Sequence, residues 1–193
     1  MINSELGHVK TLAEFNQEIR RQQEEAHGAD YCAIHDAIKK YMIDCKTYME
    51  LGTHQGGTAS IAMLCNPANV ILVDIDLSRY RKFLAPIAKQ YCDDNKISLK
   101  LLEADSTSLV TSNLTDMLVI DSLHHPAHMI KELNMHGQNT SKYIIAHDTS
   151  VINGVHDESL FVCLKRFAEA HGWDIIERGT TNVGYTVLKR NFK

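Results

Sequence analysis

Three short apolar runs restrict most strongly how this chain folds: Val70-Ile71-Leu72-Val73, Met117-Leu118-Val119-Ile120 and Tyr143-Ile144-Ile145-Ala146. None contains a polar residue, the pattern of strands buried on both faces, and each stops at or just before an aspartate: Asp74, Asp121 and, after His147, Asp148. Between the runs, apolar residues recur at helical spacing. Two helices are expected within residues 11–42, broken near His27-Gly28. There follow a strand at Thr47–Leu51, a helix at Thr58–Leu64, a strand at Val70–Val73, a helix at Leu77–Tyr91 and a strand at Ser98–Leu102. Then come a strand at Met117–Ile120, a helix at Pro126–Met135, a strand at Tyr143–Ala146 and a helix at Asp157–His171. Alternating strands and helices predict an α/β fold: a doubly wound, Rossmann-like sheet with helices on both faces. The turn between Trp173–Ile176 and Gly184–Lys189 is too short for a crossover helix, so these two strands must form a hairpin. The sheet is therefore expected to be seven-stranded, its last strand antiparallel and inserted between the fifth and the sixth.

At 193 residues, 44% hydrophobic and 23% charged, with three prolines, the composition is that of one ordinary globular domain. The expected organisation is a single domain over 1–193, with an N-terminal helical segment (1–45) and a cofactor-binding sheet (46–190). No apolar run exceeds five residues, against the roughly 20 that a membrane span needs, and the polar N-terminus does not read as a secretory signal. A cytoplasmic chain with no membrane partner is expected. A net charge of −4, with no basic cluster larger than Arg79-Tyr80-Arg81-Lys82, argues against nucleic acid as a partner. The five cysteines contain no Cys-x-x-Cys pair and read as reduced thiols.

In such sheets, ligands sit beyond the carboxyl ends of the strands, so the polar residues after each apolar run should converge. After the first strand comes Glu50-Leu51-Gly52-Thr53-His54-Gln55-Gly56-Gly57-Thr58, a turn whose glycines let the backbone approach a ligand at a helix N-terminus. It is not the dinucleotide fingerprint, because His54 stands where that spacing needs glycine. Asp74 can accept both hydroxyls of a ribose; Asp76 either shares that role or caps the helix that begins near Leu77. Glu103-Ala104-Asp105-Ser106 reads either as a loop or as a contact to an adenine amino group. Asp121 and Asp148 end adjacent parallel strands, about 4.8 Å apart, close enough to hold one cation between them. His124 follows Asp121 by three residues; with an ordinary pKa of about 6.5 it can take a proton from a substrate hydroxyl. His125 and His128 read as surface imidazoles at a helix start.

Taken in order, Met49 to Thr58, Val73-Asp74-Ile75-Asp76, Glu103-Ala104-Asp105-Ser106, Leu118 to His124, Ile144 to Thr149 and Asn182 to Leu188 resemble the class I S-adenosylmethionine-dependent methyltransferases. Within that family the resemblance is to the metal-dependent small-molecule O-methyltransferases and the cephalosporin-hydroxylase-like group. It implies S-adenosylmethionine as cofactor, held by Glu50, Gly52, Thr53, His54, Gly56, Gly57, Thr58, Asp74, Ile75, Asp105, Ser106 and Asp121. The glycine turn would line the methionine part, Asp74 the ribose, and Asp105 with Ser106 the adenine. It also implies a divalent metal, Mg2+ or similar, on Asp121 and Asp148 with His147 beside them, and His124 as catalytic base. Several relatives have an acidic residue at the position of His147. Histidine can ligate a transition metal, whereas Mg2+ prefers oxygen donors. The implied partner is a small hydroxylated acceptor, its pocket completed by a lid from residues 1–30 or by another subunit of a homo-oligomer. A nicotinamide-dependent oxidoreductase would account for the glycine turn and Asp74 but not for Asp121 and Asp148. A non-catalytic nucleoside-binding module is the remaining alternative.

Overall fold

The computed structural model describes residues 9–109 and 114–191; the readings made for residues 1–8, the polar N-terminus and the start of the lid, lie outside them. The chain begins with α1 (Leu12–His27) and α2 (Ala33–Tyr41), then β1 (Thr47–Leu51), α3 (Gly57–Leu64), β2 (Asn69–Asp74), α4 (Ser78–Phe83), α5 (Ala85–Asn95) and β3 (Ser98–Glu103). It continues through β4 (Thr115–Ile120), α6 (Pro126–Met135), β5 (Thr140–His147), β6 (Val151–Ile152), β7 (Val155–His156), α7 (Ser159–His171), β8 (Trp173–Gly179) and β9 (Tyr185–Arg190). Seven strands form one sheet in the order β3-β2-β1-β4-β5-β9-β8. The first five are parallel, and β9 runs antiparallel to both β5 and β8. The expected doubly wound sheet with an inserted antiparallel last strand is the one observed.

The period-2 alternation of each strand sorts its side chains between two cores. Tyr48, Val70, Leu72, Met117, Val119 and Ile145 face α1, α2, α3 and α5. Met49, Leu51, Leu118, Ile120 and Ile144 face α6 and α7. α1 starts at a capping box in which Thr11 accepts from the Glu14 amide while the Glu14 carboxylate accepts from the Thr11 amide. It buries Leu12, Phe15 and Ile19 completely, so the apolar stripe of α1, within the expected lid, packs into this layer. Among the described residues, no helix is long and apolar enough to cross a membrane.

Three local features depart from the sequence reading. The helix expected over Leu77–Tyr91 is broken at Leu84 into α4 and α5, because Pro86 has no N–H for the carbonyl four residues back and its ring crowds that turn. The hairpin β6–β7 was not anticipated; its turn, Asn153-Gly154, has φ of 51° and 77° at its two positions, the type I′ geometry that Asn-Gly favours. The N-terminus of α7 also falls later than Asp157, which stays outside the helix and accepts from the Ser159 amide at 2.7 Å.

Where β1 meets β4 the sheet leaves no room for a side chain. Gly52 has φ 90°, and a Cβ there would lie 2.1 Å from the carbonyl oxygen of Asp121. In the same region one acidic group stands in the core: Glu50 on β1 is fully buried and accepts from the Tyr48 hydroxyl. Burial pushes its carboxyl up to about 8, the nearby Asp121 charge adding to the effect.

Gly52→Ala is expected to lose on the order of 3 kcal/mol of stability, from left-handed strain and overpacking together, measured by urea unfolding. A loss under about 1 kcal/mol would mean that the two strand ends can separate. Glu50 is held neutral when folded, so its contribution is complete below its unfolded pKa near 4.5 and is lost as pH rises through about 8. Glu50→Gln in the ligand-free protein should therefore raise Tm relative to wild type by an amount that grows from pH 5 to pH 9. A pH-independent difference would show that burial does not hold the proton.

Candidate functional site

All five parallel strands end on the same side of the sheet, and the loops that follow them enclose a cavity of about 600 Å³. Gly52 and His54 come from the loop after β1, Asp74 and Ile75 from β2, Ala104, Asp105 and Ser106 from β3, Asp121 to His124 from β4, and Asp148 from β5. Tyr31, in the α1–α2 linker, and His128 of α6 complete the wall. A smaller polar cavity of about 70 Å³ adjoins it, sharing Tyr31, His54 and Asp121. Thr53, Gly57, Thr58 and His147 line that second space, together with Gln23 and His35 from the N-terminal helices. The structure thus brings most of the sequence-derived residues to one crevice. Glu50 and Gly56 line neither cavity: Glu50 is fully buried, and a Cβ on Gly56 would meet Leu84 at 2.3 Å.

At one end of the main cavity, Asp74 accepts from the His54 amide (2.7 Å) and from the Asp76 amide (3.0 Å). These bonds fix the carboxylate against the glycine turn. Asp76 accepts from the Ser78 amide at 2.8 Å, the helix-start role that was one of its two sequence readings. Ile75 and Leu123 are 77% and 63% exposed, although large and apolar, and both line the cavity. The Asp105 carboxylate turns back to its own loop and accepts from the amide and hydroxyl of Thr107.

Behind Ser106 is a group that the sequence reading missed. The fully buried Glu132 of α6 accepts from the hydroxyls of Ser106 (2.5 Å) and Ser122 (2.6 Å), with His128 Nε2 at 3.2 Å. One carboxylate thus ties together the loops after β3 and β4. The available signal was its position between Met129 and Leu133, on the apolar face of the helix.

At the other end, two carboxylates and two imidazoles meet. His124 Nε2 lies 3.0 Å from Asp148 Oδ2 and 3.9 Å from Asp121 Oδ1. His147 Nδ1 lies 3.2 Å from Asp121 Oδ1 and 3.1 Å from Asp148 Oδ2. Asp121, His124 and Asp148 each offer a donor atom within 4.8 Å of the others. The bonds to Asp121 and Asp148 hold His124 up at about 10. Burial works against a charge on His147, yet the same two carboxylates raise it to about 10 as well. The pairing thus favours the protonated form of both imidazoles. His124 can act as a base once that pairing is relieved, and two carboxylates with an imidazole are a donor set of the kind that holds a divalent ion.

The other two histidines of this region do different work. His125 Nδ1 accepts from the Ala127 amide at 3.3 Å and caps α6. Tyr31 was not singled out in the sequence; its ring stacks on His27 at 4.4 Å and meets His147 edge-on at 5.6 Å, roofing the carboxylate end. No local pattern marks it, because a helix linker far from the strand ends delivers it.

No family model matches the sequence, and no curated protein matches it. Solved structures do match it in three dimensions. A protein of Staphylococcus aureus, provisionally named a caffeoyl-CoA O-methyltransferase, is 15% identical with a TM-score of 0.63, over 90% of this chain and 91% of its own. Magnesium protoporphyrin IX methyltransferase ChlM of Synechocystis, solved with S-adenosylhomocysteine bound, is 11% identical with a TM-score of 0.62, over 89% and 87%. The N-methyltransferase NodS of Bradyrhizobium japonicum is 10% identical with a TM-score of 0.57, over 83% and 96%. The chain therefore has the fold of the class I S-adenosylmethionine-dependent methyltransferases.

Proposed function

We propose that this protein is an S-adenosylmethionine-dependent methyltransferase that acts on a hydroxyl of a small molecule, assisted by a divalent cation. The observation that carries the reading is the division of one cavity into two ends. Asp74, with the exposed apolar Ile75, suits a nucleoside; Asp121, His124 and Asp148 suit a cation and a proton. The shared fold, and the S-adenosylhomocysteine bound in ChlM, support the choice of cofactor. The position of His54 argues against a nicotinamide dinucleotide, since it removes the glycine that a pyrophosphate would need.

When bound, the cofactor supplies an activated methyl group, and the cation polarises the acceptor oxygen. The chain's own residues do the rest. Asp74, braced by the His54 and Asp76 amides, accepts the ribose hydroxyls without reorganising. Ser106, held by Glu132, lines the wall at the base, with Asp105 beside it although its carboxylate is tied to Thr107. Gly57, Thr53 and Thr58 present the start of α3 to the amino-acid end, while Gly56 and Glu50 support that turn from below. Asp121, Asp148 and His147 hold the cation. His124, on the solvent side of the two carboxylates, takes the hydroxyl proton. Residues 1–193 act as one unit, with Tyr31 closing the roof that the sequence assigned to a longer lid.

Two tests apply. Asp74→Ala removes an acceptor of hydrogen bonds worth about 1.5–3 kcal/mol each, and should weaken S-adenosylhomocysteine binding at least tenfold in calorimetry. Unchanged affinity, or tighter binding of NAD by the wild type, would overturn the cofactor assignment. His124→Ala should lower turnover by about 10²- to 10⁴-fold with a good acceptor, and chelation should abolish transfer. His125→Ala should lose only its helix cap, about 1 kcal/mol of stability, and keep its turnover. Equal small effects of the two substitutions would remove His124 from the mechanism. Binding of S-adenosylmethionine without turnover on any sugar, phenol or other hydroxylated metabolite would favour the non-catalytic module.

A further inference from the structure

We infer that the cation held by Asp121 and Asp148 is a first-row transition metal, with the His147 imidazole as its third protein ligand, and not magnesium or calcium. The inference deepens the proposed function and rests on its reading of the two aspartates as cation ligands.

The argument starts from the backbone. Consecutive residues of a strand point to opposite faces, so His147 and Asp148 would diverge if β5 simply continued. β5 ends at His147, and Asp148 takes a left-handed conformation, φ 54°. That turn folds the Asp148 carboxylate back until Oδ2 lies 3.1 Å from His147 Nδ1. Asp121, at the end of the neighbouring β4, places Oδ1 3.2 Å from the same nitrogen. Bonds of about 2.0–2.2 Å from one ion to neighbouring ligands separate the donor atoms by roughly 3.0–3.5 Å. The nitrogen already stands at that spacing from both oxygens.

The donor chemistry then selects the ion. An imidazole nitrogen is a good ligand for zinc, cobalt, nickel, iron or copper, while magnesium and calcium sites are built from oxygens and water. His147 is 6% exposed, so a hydrated ion cannot easily keep a water in its place. The ring of Tyr31 packs against its edge and limits its movement. His124, with a more exposed side chain, meets the same carboxylates from the main cavity, whereas His147 lines the smaller one.

The test uses the full-length protein, stripped of metal, titrated with Co2+, Zn2+ and Mg2+ by calorimetry and, for Co2+, by visible absorption. The expected result is one Co2+ per chain, bound at least about 100-fold more tightly than Mg2+, with d–d bands that reflect nitrogen ligation. His147→Ala should weaken Co2+ by about tenfold or more, and His147→Asp, which restores an all-oxygen set, should narrow the gap between Co2+ and Mg2+. If His147→Ala does not fold, His147→Gln keeps most of the volume and serves the same comparison. Asp121→Asn must lose the site; equal Co2+ binding by that variant would place the ion on other histidines and overturn the inference. So would Mg2+ binding as tightly as Co2+, Co2+ affinity indifferent to His147, or no retained cation. S-adenosylhomocysteine titrated into the same wild-type sample separates the two readings. Nucleoside binding without metal discards this inference and leaves methyl transfer standing, and metal binding without the nucleoside does the reverse.

Discussion

Gly52 and the main chain of Asp121 approach each other more closely than any side chain would permit, and the crevice is organised around that approach. The Asp121 amide donates to Leu51 O at 2.8 Å and the Gly52 amide to Val73 O at 2.8 Å, so the ends of β2, β1 and β4 are locked side by side. The loop after β1 must then turn sharply, which brings the His54 amide onto Asp74. Asp121 is left on the boundary between the two cavities. A parallel sheet makes this economical, because every strand leaves its carboxyl end on the same side and neighbouring ends are only about 4.8 Å apart.

Two electrostatic arrangements follow from that geometry. At one end, the imidazoles of His124 and His147 meet the carboxylates of Asp121 and Asp148 at 3.0 to 3.2 Å, a pairing that raises both imidazoles. The proposed divalent ion would engage these same groups, and its binding there would release protons. At the other end, Glu132 is fully buried beside His128. Two serine hydroxyls and His128 gather on its Oε1, and it acts as a tie behind the cavity wall. Both ends depend on segments outside the sheet: α6 carries Glu132 and His128, and the α1–α2 linker carries Tyr31.

Much of this was legible in the residues. Apolar runs ending in Asp74 and before Asp121 and Asp148 marked buried strands and the side on which a ligand would sit, because strand length and period are local properties. The hairpin of β8 and β9 followed from the shortness of its turn. Pro86 and Asn153-Gly154 carried the signals for the helix break and the β6–β7 hairpin, and both were open to reading. The capping roles of Asp76 and His125 were likewise local, each being a bond to an amide two residues on.

Other features had no local signal. Whether His147 or His124 meets the carboxylates, and from which side, depends on the left-handed turn at Asp148 and the register of β4 with β5. Tyr31, Gln23 and His35 reach the cavities because α1 and α2 pack over α3, and Ser106 meets Glu132 across 26 residues of chain. Periodicity tells which face of an element is apolar and where the element stops; it does not tell which distant side chain will stand opposite. The alternation, the turns and the order of the acidic strand ends were therefore properties of the sequence, written in neighbouring residues. The partners of each charge were decided only when packing brought separate segments within hydrogen-bonding distance.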